Sequence, residues 1–383
     1  MPSHPLSRLL AATLLLPTLA ACAADRRLPL EPDAARARSE ATAAAGGVYT
    51  MTNGSDGNAI LAYRRAADGA LTPLGTVATG GLGTGGTIDP LVSQYALVLG
   101  DDNRLLFAVN AGSDDVSSFR VDADGALTLA DRAPSGGDLP VSLAAHGRLL
   151  YVLNAGDNTL RGFRAAASGA LVPLPHAAHA LAAGAAGAAA VRFTRDGRFL
   201  VVSERVSNRL EVFPVQPNGR LGEPTLTPSN GAAAFGFDVT PANDVIVSET
   251  SGFASSYRLA GGVASLVSAS VPTFGAAPCW VIATADGRFA YVVNAGTATL
   301  TGYAVSAGGA LSLLDASGTT GSTGTGSTPL DLDLTDGDGF LYVLEAGSGT
   351  IGAFAVNADG SLSARPDTPA GAARSGQQGL AAF

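Results

Sequence analysis

The residues best suited to chemistry in this chain are acidic, and two of them stand at the ends of apolar runs. Glu204 and Glu249 each follow the residues Val-Ser at the close of such a run. Asparagine at that place is typical of a turn, whereas glutamate is a poor turn former and can bind a ligand or act as a base. The equivalent places in three other runs hold Asn110, Asn154 and Asn294. We interpret the asparagines as turn residues and leave both roles open for the glutamates.

Asp331 and Asp333 lie two residues apart in another apolar stretch. Alternate residues of a strand share a face, so the two carboxylates are predicted to project together. Such a pair can bind a cation or exchange protons with a substrate, and plain solvation is the alternative. The only tryptophan, Trp280, follows Cys279 and opens a similar strand, where it can stack on a ligand or pack in the core. We predict ligand contacts from Glu249, Trp280, Asp331 and Asp333.

These side chains belong to a short sequence motif that the chain repeats. It reads Leu-Phe-Ala-Val-Asn-Ala-Gly from Leu106, Leu-Tyr-Val-Leu-Asn-Ala-Gly from Leu150 and Ala-Tyr-Val-Val-Asn-Ala-Gly from Ala290. An aromatic residue closes the alternating stretch after each copy, and successive aromatics are 44 to 56 residues apart. The seven aromatic positions are Tyr63, Phe119, Phe163, Phe213, Tyr257, Tyr303 and Phe354. A fixed period of this length indicates a repeat architecture.

Each repeat predicts four strands. The apolar run predicts a strand buried on both faces, the alternating stretch a half-buried strand, and the glycine after it a hairpin to an outer strand. Four strands in about 45 residues are typical of a propeller blade. Residues 377–383 resemble an innermost strand, which the first repeat lacks. We therefore predict an all-β, seven-bladed β-propeller over residues 46–383, closed by its C-terminal strand, with loops 81–93 and 315–328 on the surface. The alternative for either loop is that it covers the mouth of the channel.

The first 45 residues predict a secretion signal followed by a flexible tether. A basic start and the apolar stretch Leu9–Leu16 lead to Leu-Ala-Ala before Cys22. That order is typical of a secretory signal, and Leu-Ala-Ala-Cys resembles the lipobox of bacterial lipoproteins, in which the cysteine is acylated. We predict a signal peptide over residues 1–21, lipidation at Cys22, a flexible tether over 22–45 and an outer-membrane location, with the lipid as the only membrane contact. The alternative is an ordinary signal followed by a chance cysteine.

Composition excludes several kinds of function. All 23 basic residues are arginine, so Schiff-base chemistry and a phosphate-loop lysine are excluded. The formal net charge of −9, without an arginine-rich run, argues against nucleic-acid binding. Two cysteines and four histidines, scattered along the chain, give no spacing typical of a metal site. We therefore predict neither a metal nor another cofactor.

The stretch Phe-Thr-Arg-Asp-Gly-Arg-Phe-Leu-Val-Val-Ser-Glu that ends at Glu204, with Asn-Arg-Leu-Glu-Val-Phe after it, resembles the β-propeller lactonase family. That family includes propeller 6-phosphogluconolactonases and carboxymuconate cyclases, and the resemblance spans about residues 47–383. It implies a catalytic glutamate that Glu204 matches and an Arg-His pair, for which this chain has Ala189 and Ala190. Arg192 is two residues beyond Ala190 and so shares its face of the strand. We predict that Glu204 acts as the base and Arg192 as the cation.

Two functions follow from this sequence. One is a lactonase-like lipoprotein of the cell envelope that hydrolyses or cyclises a small lactone. The other is a non-catalytic propeller that binds a glycan, peptide or protein partner at one mouth or serves as an envelope scaffold. They differ in a feature that a structure can show, because the enzyme requires a cation beside the catalytic carboxylate inside the channel.

Overall fold

The computed structural model describes residues 46–383, and every regular element in that range is a β-strand. The predicted signal peptide, Cys22 and the tether lie outside the described residues. Within residues 46–383 no helix has the length and apolar character that a bilayer crossing requires.

The strands form seven antiparallel sheets, each of which is one blade. Blade 1 contains β29 (Gln378–Ala382), β1 (Gly46–Met51), β2 (Ala59–Arg65) and β3 (Leu71–Ala78). Blade 2 contains β4 (Leu97–Gly100), β5 (Leu105–Asn110), β6 (Asp115–Val121) and β7 (Leu127–Pro134). Blade 3 contains β8 (Pro140–His146), β9 (Leu149–Asn154), β10 (Thr159–Ala165) and β11 (Leu171–Ala180). Blade 4 contains β12 (Ala188–Phe193), β13 (Phe199–Glu204), β14 (Arg209–Pro214) and β15 (Thr225–Pro228).

The remaining blades follow the same order from the inside outward. Blade 5 contains β16 (Ala234–Val239), β17 (Asp244–Glu249), β18 (Phe253–Ala260) and β19 (Val263–Pro272). Blade 6 contains β20 (Pro278–Ala283), β21 (Phe289–Asn294), β22 (Thr299–Val305) and β23 (Leu311–Leu313), and β24 (Gly321–Ser322) also pairs with β22. Blade 7 contains β25 (Pro329–Leu334), β26 (Phe340–Glu345), β27 (Thr350–Val356) and β28 (Leu362–Pro369).

Burial decreases from the second strand of a blade to the outermost one. The second strands β5, β13, β17 and β21 are buried along their whole length, as their apolar runs predict. The outermost strand β28 is largely exposed. The core therefore lies between the blades, where the inner strands of neighbouring sheets pack face to face.

The C-terminal strand closes the ring. β29 pairs with β1 in antiparallel register, with Ala382 opposite Val48, and thereby becomes the innermost strand of blade 1. The inner strands contact one another in the cyclic order β29, β4, β8, β12, β16, β20 and β25, and β25 contacts β29 again. The predicted seven-bladed propeller and its closure by the last residues are confirmed. Closure leaves no open end that would need a capping unit.

Hydroxyl groups connect neighbouring blades. Tyr49 donates a hydrogen bond of 2.9 Å to the carbonyl of Gly125, which lies in a hairpin turn of the next blade. Six of the seven junctions have a bond of this kind, and the other donors are Ser118, Tyr151, Ser256, Tyr291 and Tyr342. The accepting turns require a left-handed residue, and Gly125 has a φ of 83°. The same glycine that makes the hairpin thus presents its carbonyl to the neighbouring blade.

The loop between β3 and β4 departs from its prediction as a surface loop. Leu82 is exposed, but Ser93 is fully buried, and residues 93–95 cross the central channel before β4 begins. We call residues 93–95 the crossing segment. Its backbone and side chains hydrogen-bond to all six of the other inner strands. The partners are Val141, Ser142, Leu143, Ala189, Phe237, Trp280, Val281, Asp331 and Gln378. The loop over residues 315–328 lies mainly on the surface, as predicted.

Candidate functional site

The channel forms a cavity of about 560 Å³ on one side of the crossing segment. The cavity lies towards the ends of the inner strands, and residues of β4, β8, β12, β25 and β29 line it. Tyr95 of the crossing segment also contributes to the lining. The charged and imidazole side chains in the lining are Asp101, Asp102, His146, Arg192, Arg195, Asp333 and Asp336.

Arg192 is a cation of this cavity that a buried carboxylate and an aromatic ring hold in place. Its Nε lies 2.6 Å from Oδ1 of Asp238, which is fully buried, and its Cζ lies 4.5 Å from the centre of the Tyr95 ring. Asp238 also accepts hydrogen bonds from the backbone N–H groups of Val239 and Ala283. Although burial opposes the charge, the carboxylate of Asp238 raises the pKa of Arg192. Arg192 thus presents a permanent positive charge to the cavity.

Asp333 faces the same cavity from β25. Its Oδ2 accepts a hydrogen bond of 2.9 Å from the backbone of Ala382, and its Oδ1 accepts one of 2.9 Å from Leu334. Burial raises the pKa of Asp333 to about 7, against the opposing effects of the Ala382 bond and the charge of Arg192. The carboxyl group can therefore take up and release a proton near neutral pH.

Asp331 lies on the same strand but meets the crossing segment instead. Its Oδ2 accepts a hydrogen bond of 3.3 Å from the backbone of Tyr95, and burial raises its pKa well above the usual range. Asp331 therefore lies inside the channel wall, while Asp333 lines the cavity. Across residues 46–383, no group of three or more histidine, cysteine or acidic side chains is arranged to hold a metal ion.

Glu204 lies at the end of β13, where β12 begins beside it, and does not line the cavity. It is fully buried, its Oε1 lies 2.9 Å from Nε of Arg209, and it is hydrogen-bonded to Ser207. Arg209 also contacts Glu211 at 2.8 Å. Burial raises the pKa of Glu204, but hydrogen bonds from Glu211, Ser207 and Arg209 outweigh that effect. The pKa of Glu204 is therefore lowered. The cation beside Glu204 is therefore Arg209, whereas Arg192 forms its ion pair with Asp238.

The strand-end position of Glu204 has the same type of role in other blades. Glu249 is buried and accepts hydrogen bonds from Ser255, Ser270 and the backbone of Gly231. The asparagines at this position bond to the strand that follows, as expected for turn residues, and the three bonds are from Asn110 to Asp115, Asn154 to Thr159 and Asn294 to Thr299. The side chain at this place thus joins the end of the second strand to the start of the third in every one of these blades.

Trp280 is buried in the channel wall and has 1% of its surface exposed. Its indole ring packs edge-on against Phe235, with 5.4 Å between ring centres, and its Nε1 donates a hydrogen bond of 2.9 Å to the carbonyl of Ser93. Trp280 therefore holds the crossing segment and does not line the cavity. Cys279 beside it is half-buried, and burial raises the pKa of its thiol to about 12.

Comparison with protein families gives a match to the family described as Lactonase, 7-bladed beta-propeller, over residues 48–181, 173–261 and 266–375. The chain belongs to this family. Its predicted resemblance is thus confirmed, although a comparison with curated proteins found no match.

Solved structures share the fold of this lactonase-family propeller. A Bacteroides fragilis protein named as a candidate 6-phosphogluconolactonase is 18% identical, with a TM-score of 0.70 over 89% of this chain and 98% of that chain. The periplasmic gluconolactonase of Pseudomonas aeruginosa is 21% identical, with a TM-score of 0.66 over 87% of this chain and 98% of that chain. At these identities the likeness concerns the fold alone.

The lactonase-family propeller thus brings Arg192 and Asp333 to one cavity and leaves Glu204, Glu249 and Trp280 outside it. Sequence reasoning missed Asp238 and Tyr95, although a signal for Asp238 exists. Arg192, Asp238 and Asp333 each stand two residues before a threonine near the end of an inner strand. They pair with Val201, Ile246 and Tyr342, which are three residues before the strand-end glutamate of their blades. Aligning the inner strands on that threonine would have placed the three charges together.

Proposed function

We propose that this chain hydrolyses a small, uncharged lactone in the channel cavity, with Arg192 and Asp333 as its catalytic pair. The observation that supports this proposal best is that a fixed cation and a partly buried carboxyl group line the same cavity of about 560 Å³. Opening a lactone requires both kinds of group, one to polarise the carbonyl and one to activate water.

Arg192 supplies the electrophilic part. Its Nε is directed to Asp238, so the terminal nitrogens are the donors left to bind the carbonyl oxygen of the lactone. Negative charge grows on that oxygen as water attacks, and a preorganised guanidinium stabilises it more strongly in the transition state than in the bound substrate. The salt bridge to Asp238 keeps the guanidinium in place before the substrate arrives.

Asp333 supplies the base. In its ionised form it takes a proton from a water molecule, and the oxygen of that water forms a bond to the carbonyl carbon. The acyl bond to the ring oxygen then breaks, and the ring oxygen takes the proton from Asp333 and becomes a hydroxyl group. The product is a hydroxy acid, and water is the only co-reactant. Since the pKa of Asp333 is about 7, we expect turnover to rise as the pH rises through 7.

The pairing of the arginines favours an uncharged substrate over a phosphorylated one. Arg192 and Arg195 both lie near Asp238, at 2.6 and 3.7 Å. Beside the cavity, Arg104 and Arg148 share the carboxylate of Asp101, at 3.2 and 3.4 Å. The cavity lining itself has four aspartates against two arginines, so a phosphate dianion meets an excess of acidic groups, whereas a carbonyl oxygen requires only a hydrogen-bond donor. The similar Pseudomonas aeruginosa protein is a gluconolactonase, which acts on a lactone of this class.

The test is hydrolysis of an aldono-δ-lactone, its 6-phosphate and a simple γ-lactone by the full-length chain, followed by proton release and corrected for spontaneous opening. We expect kcat/KM for the uncharged sugar lactone to exceed that for its phosphate by about 10-fold or more, because the aspartates of the lining repel the phosphate. Asp333→Asn is expected to lower kcat by roughly 10² to 10⁴-fold. Arg192→Lys keeps the charge beside Asp238 and is expected to lower kcat because it loses the planar donors.

Glu204→Gln is the matched control, since Glu204 is a buried carboxylate with an arginine partner but lies outside the cavity lining. We expect its folded fraction to retain the wild-type kcat. Loss of turnover in Glu204→Gln with retention in Asp333→Asn would overturn the proposed site and favour the base predicted from the sequence. Absence of turnover by the folded wild-type chain on all three lactones would overturn the hydrolase and favour the non-catalytic binding propeller.

We further propose that the chain is a lipoprotein of the cell envelope, on the basis of Leu-Ala-Ala before Cys22. Metabolic labelling with a tagged fatty acid tests this proposal in a bacterial host. We expect label in the wild-type chain, found with the outer membrane, and none in Cys22→Ser. Equal labelling of the two chains, or none in either, would overturn the lipid anchor.

A further inference from the structure

We infer that Tyr95 is a positioning residue that fixes the guanidinium of Arg192 from the crossing segment. The inference rests on the proposed function, because it assigns Tyr95 a role in the hydrolysis. Tyr95 reaches the cavity from a loop that is not part of the propeller repeat. Tyr95 touches Arg192 and is not itself proposed to take part in the reaction.

The Tyr95 ring is held rigidly. Its hydroxyl donates a hydrogen bond of 2.7 Å to the carbonyl of Phe237 in β16. Its backbone N–H donates to Asp331 in β25 at 3.3 Å, and its backbone carbonyl accepts from Leu143 in β8 at 2.9 Å. Three inner strands therefore fix one residue, of which only 5% is exposed. A ring held in this way can serve as a fixed surface for a mobile side chain.

Arg192 needs such a surface. An arginine side chain has four rotatable bonds and loses much rotamer freedom when it is ordered. The salt bridge at Nε fixes one point of the guanidinium, and the Tyr95 ring at 4.5 Å from Cζ fixes its plane. Asp238 and Tyr95 together therefore define the direction in which the terminal nitrogens point. Without the ring, the guanidinium keeps its charge but loses this orientation.

The backbone of the segment supports the same inference. Tyr95 has a φ of 67°, which lies in the left-handed region that side chains other than glycine rarely adopt. Strained residues of this kind persist only where the surrounding structure holds them, and they concentrate at functional sites. Here the hydrogen bonds to six inner strands hold the strained segment.

The first arm of the test does not depend on turnover. The Nε–H group of Arg192, between Asp238 and the aromatic ring, is expected to give a sharp, ring-shifted signal in an arginine-selective ¹H–¹⁵N spectrum of the full chain. Its absence from Arg192→Lys assigns it. We expect the signal to stay sharp in Tyr95→Phe, which keeps the ring, and to broaden and lose its ring shift in Tyr95→Leu. A signal that stays sharp in Tyr95→Leu would overturn the inference whether or not any lactone is hydrolysed.

The second arm measures kinetics in two backgrounds. Tyr95→Leu is expected to lower kcat about 10-fold with KM changed by less than about threefold, and Tyr95→Phe is expected to restore most of kcat. In the Arg192→Lys background, Tyr95→Leu should cause no further loss, because the group it positions is absent. An equal loss in both backgrounds would mean a structural role only. A wild-type chain without turnover but with the expected spectra would overturn the proposed function and leave the positioning of Arg192 standing.

Discussion

Replacing Asp333 by asparagine should stabilise the folded protein at alkaline pH. Burial raises the pKa of Asp333 from an ordinary 3.8 to about 7. The folded protein therefore binds this proton more tightly than the unfolded chain does. With respect to this group, stability is highest below pH 4 and falls as the pH rises from about 4 to 7, and the loss persists above pH 7.

The size of the effect follows from that shift and from the two bonds that Asp333 accepts. At about 1.36 kcal/mol for each pKa unit, ionising Asp333 in the folded protein costs roughly 4 kcal/mol at pH 8. Asparagine removes this cost, but it has one acceptor oxygen for the two N–H groups of Leu334 and Ala382. Leaving one of them without a partner costs about 1–3 kcal/mol. We expect a net gain of roughly 1–3 kcal/mol at pH 8 and a net loss of similar size at pH 4.

Urea unfolding at the two pH values measures this difference, with the fluorescence of Trp280 as the probe, because this sole tryptophan is buried. The same substitution removes the proposed base, so stability and turnover should move in opposite directions at pH 8. An Asp333→Asn variant that is no more stable than the wild type at pH 8 would refute the reasoning. So would a difference in unfolding free energy that is the same at both pH values.

Three further predictions concern stability. Arg209→Ala leaves Glu204 and Glu211 buried without their cation, so urea unfolding should show a free energy of unfolding lower by roughly 3–5 kcal/mol. Unchanged stability would contradict the buried network. Tyr151→Phe removes one hydroxyl bond between blades and should lower the unfolding free energy by about 1 kcal/mol, and no change would mean that the bond contributes nothing. Deleting residues 378–383 removes β29, and circular dichroism should then show no cooperative thermal transition; a wild-type transition would contradict closure by this strand.

The fold was predictable because its signal is local and repeated. The run from Leu150, the turn after it and the alternating stretch to Phe163 specify strands and hairpins within one blade, and seven copies specify the ring. Closure was predictable from the last residues because the first repeat lacked an inner strand. Each of these inferences rests on residues that are near one another in sequence and that obey a strand period.

The site was less predictable, since its parts come from positions with no common local pattern. Residues 93–95 form no periodic pattern, and their partners are mostly backbone groups of distant strands. The cation of Glu204 is Arg209 because hairpin register places the fifth residue after Glu204 directly opposite it, a pairing that the repeat period alone does not give. Arg192 was identified by its strand face, but its partner Asp238 required a comparison between blades.

Closure by β29 also sets the order in which this molecule is made. The strand that pairs with β1 leaves the ribosome more than 300 residues after its partner. Blade 1 must therefore wait, with an edge unpaired, until β29 has been made, and contacts so far apart in sequence form slowly. Asp333 receives one of its two hydrogen bonds from Ala382, in that last strand. The nascent chain consequently has no finished cavity before β29 emerges, so the ring and the cavity are completed in the same step.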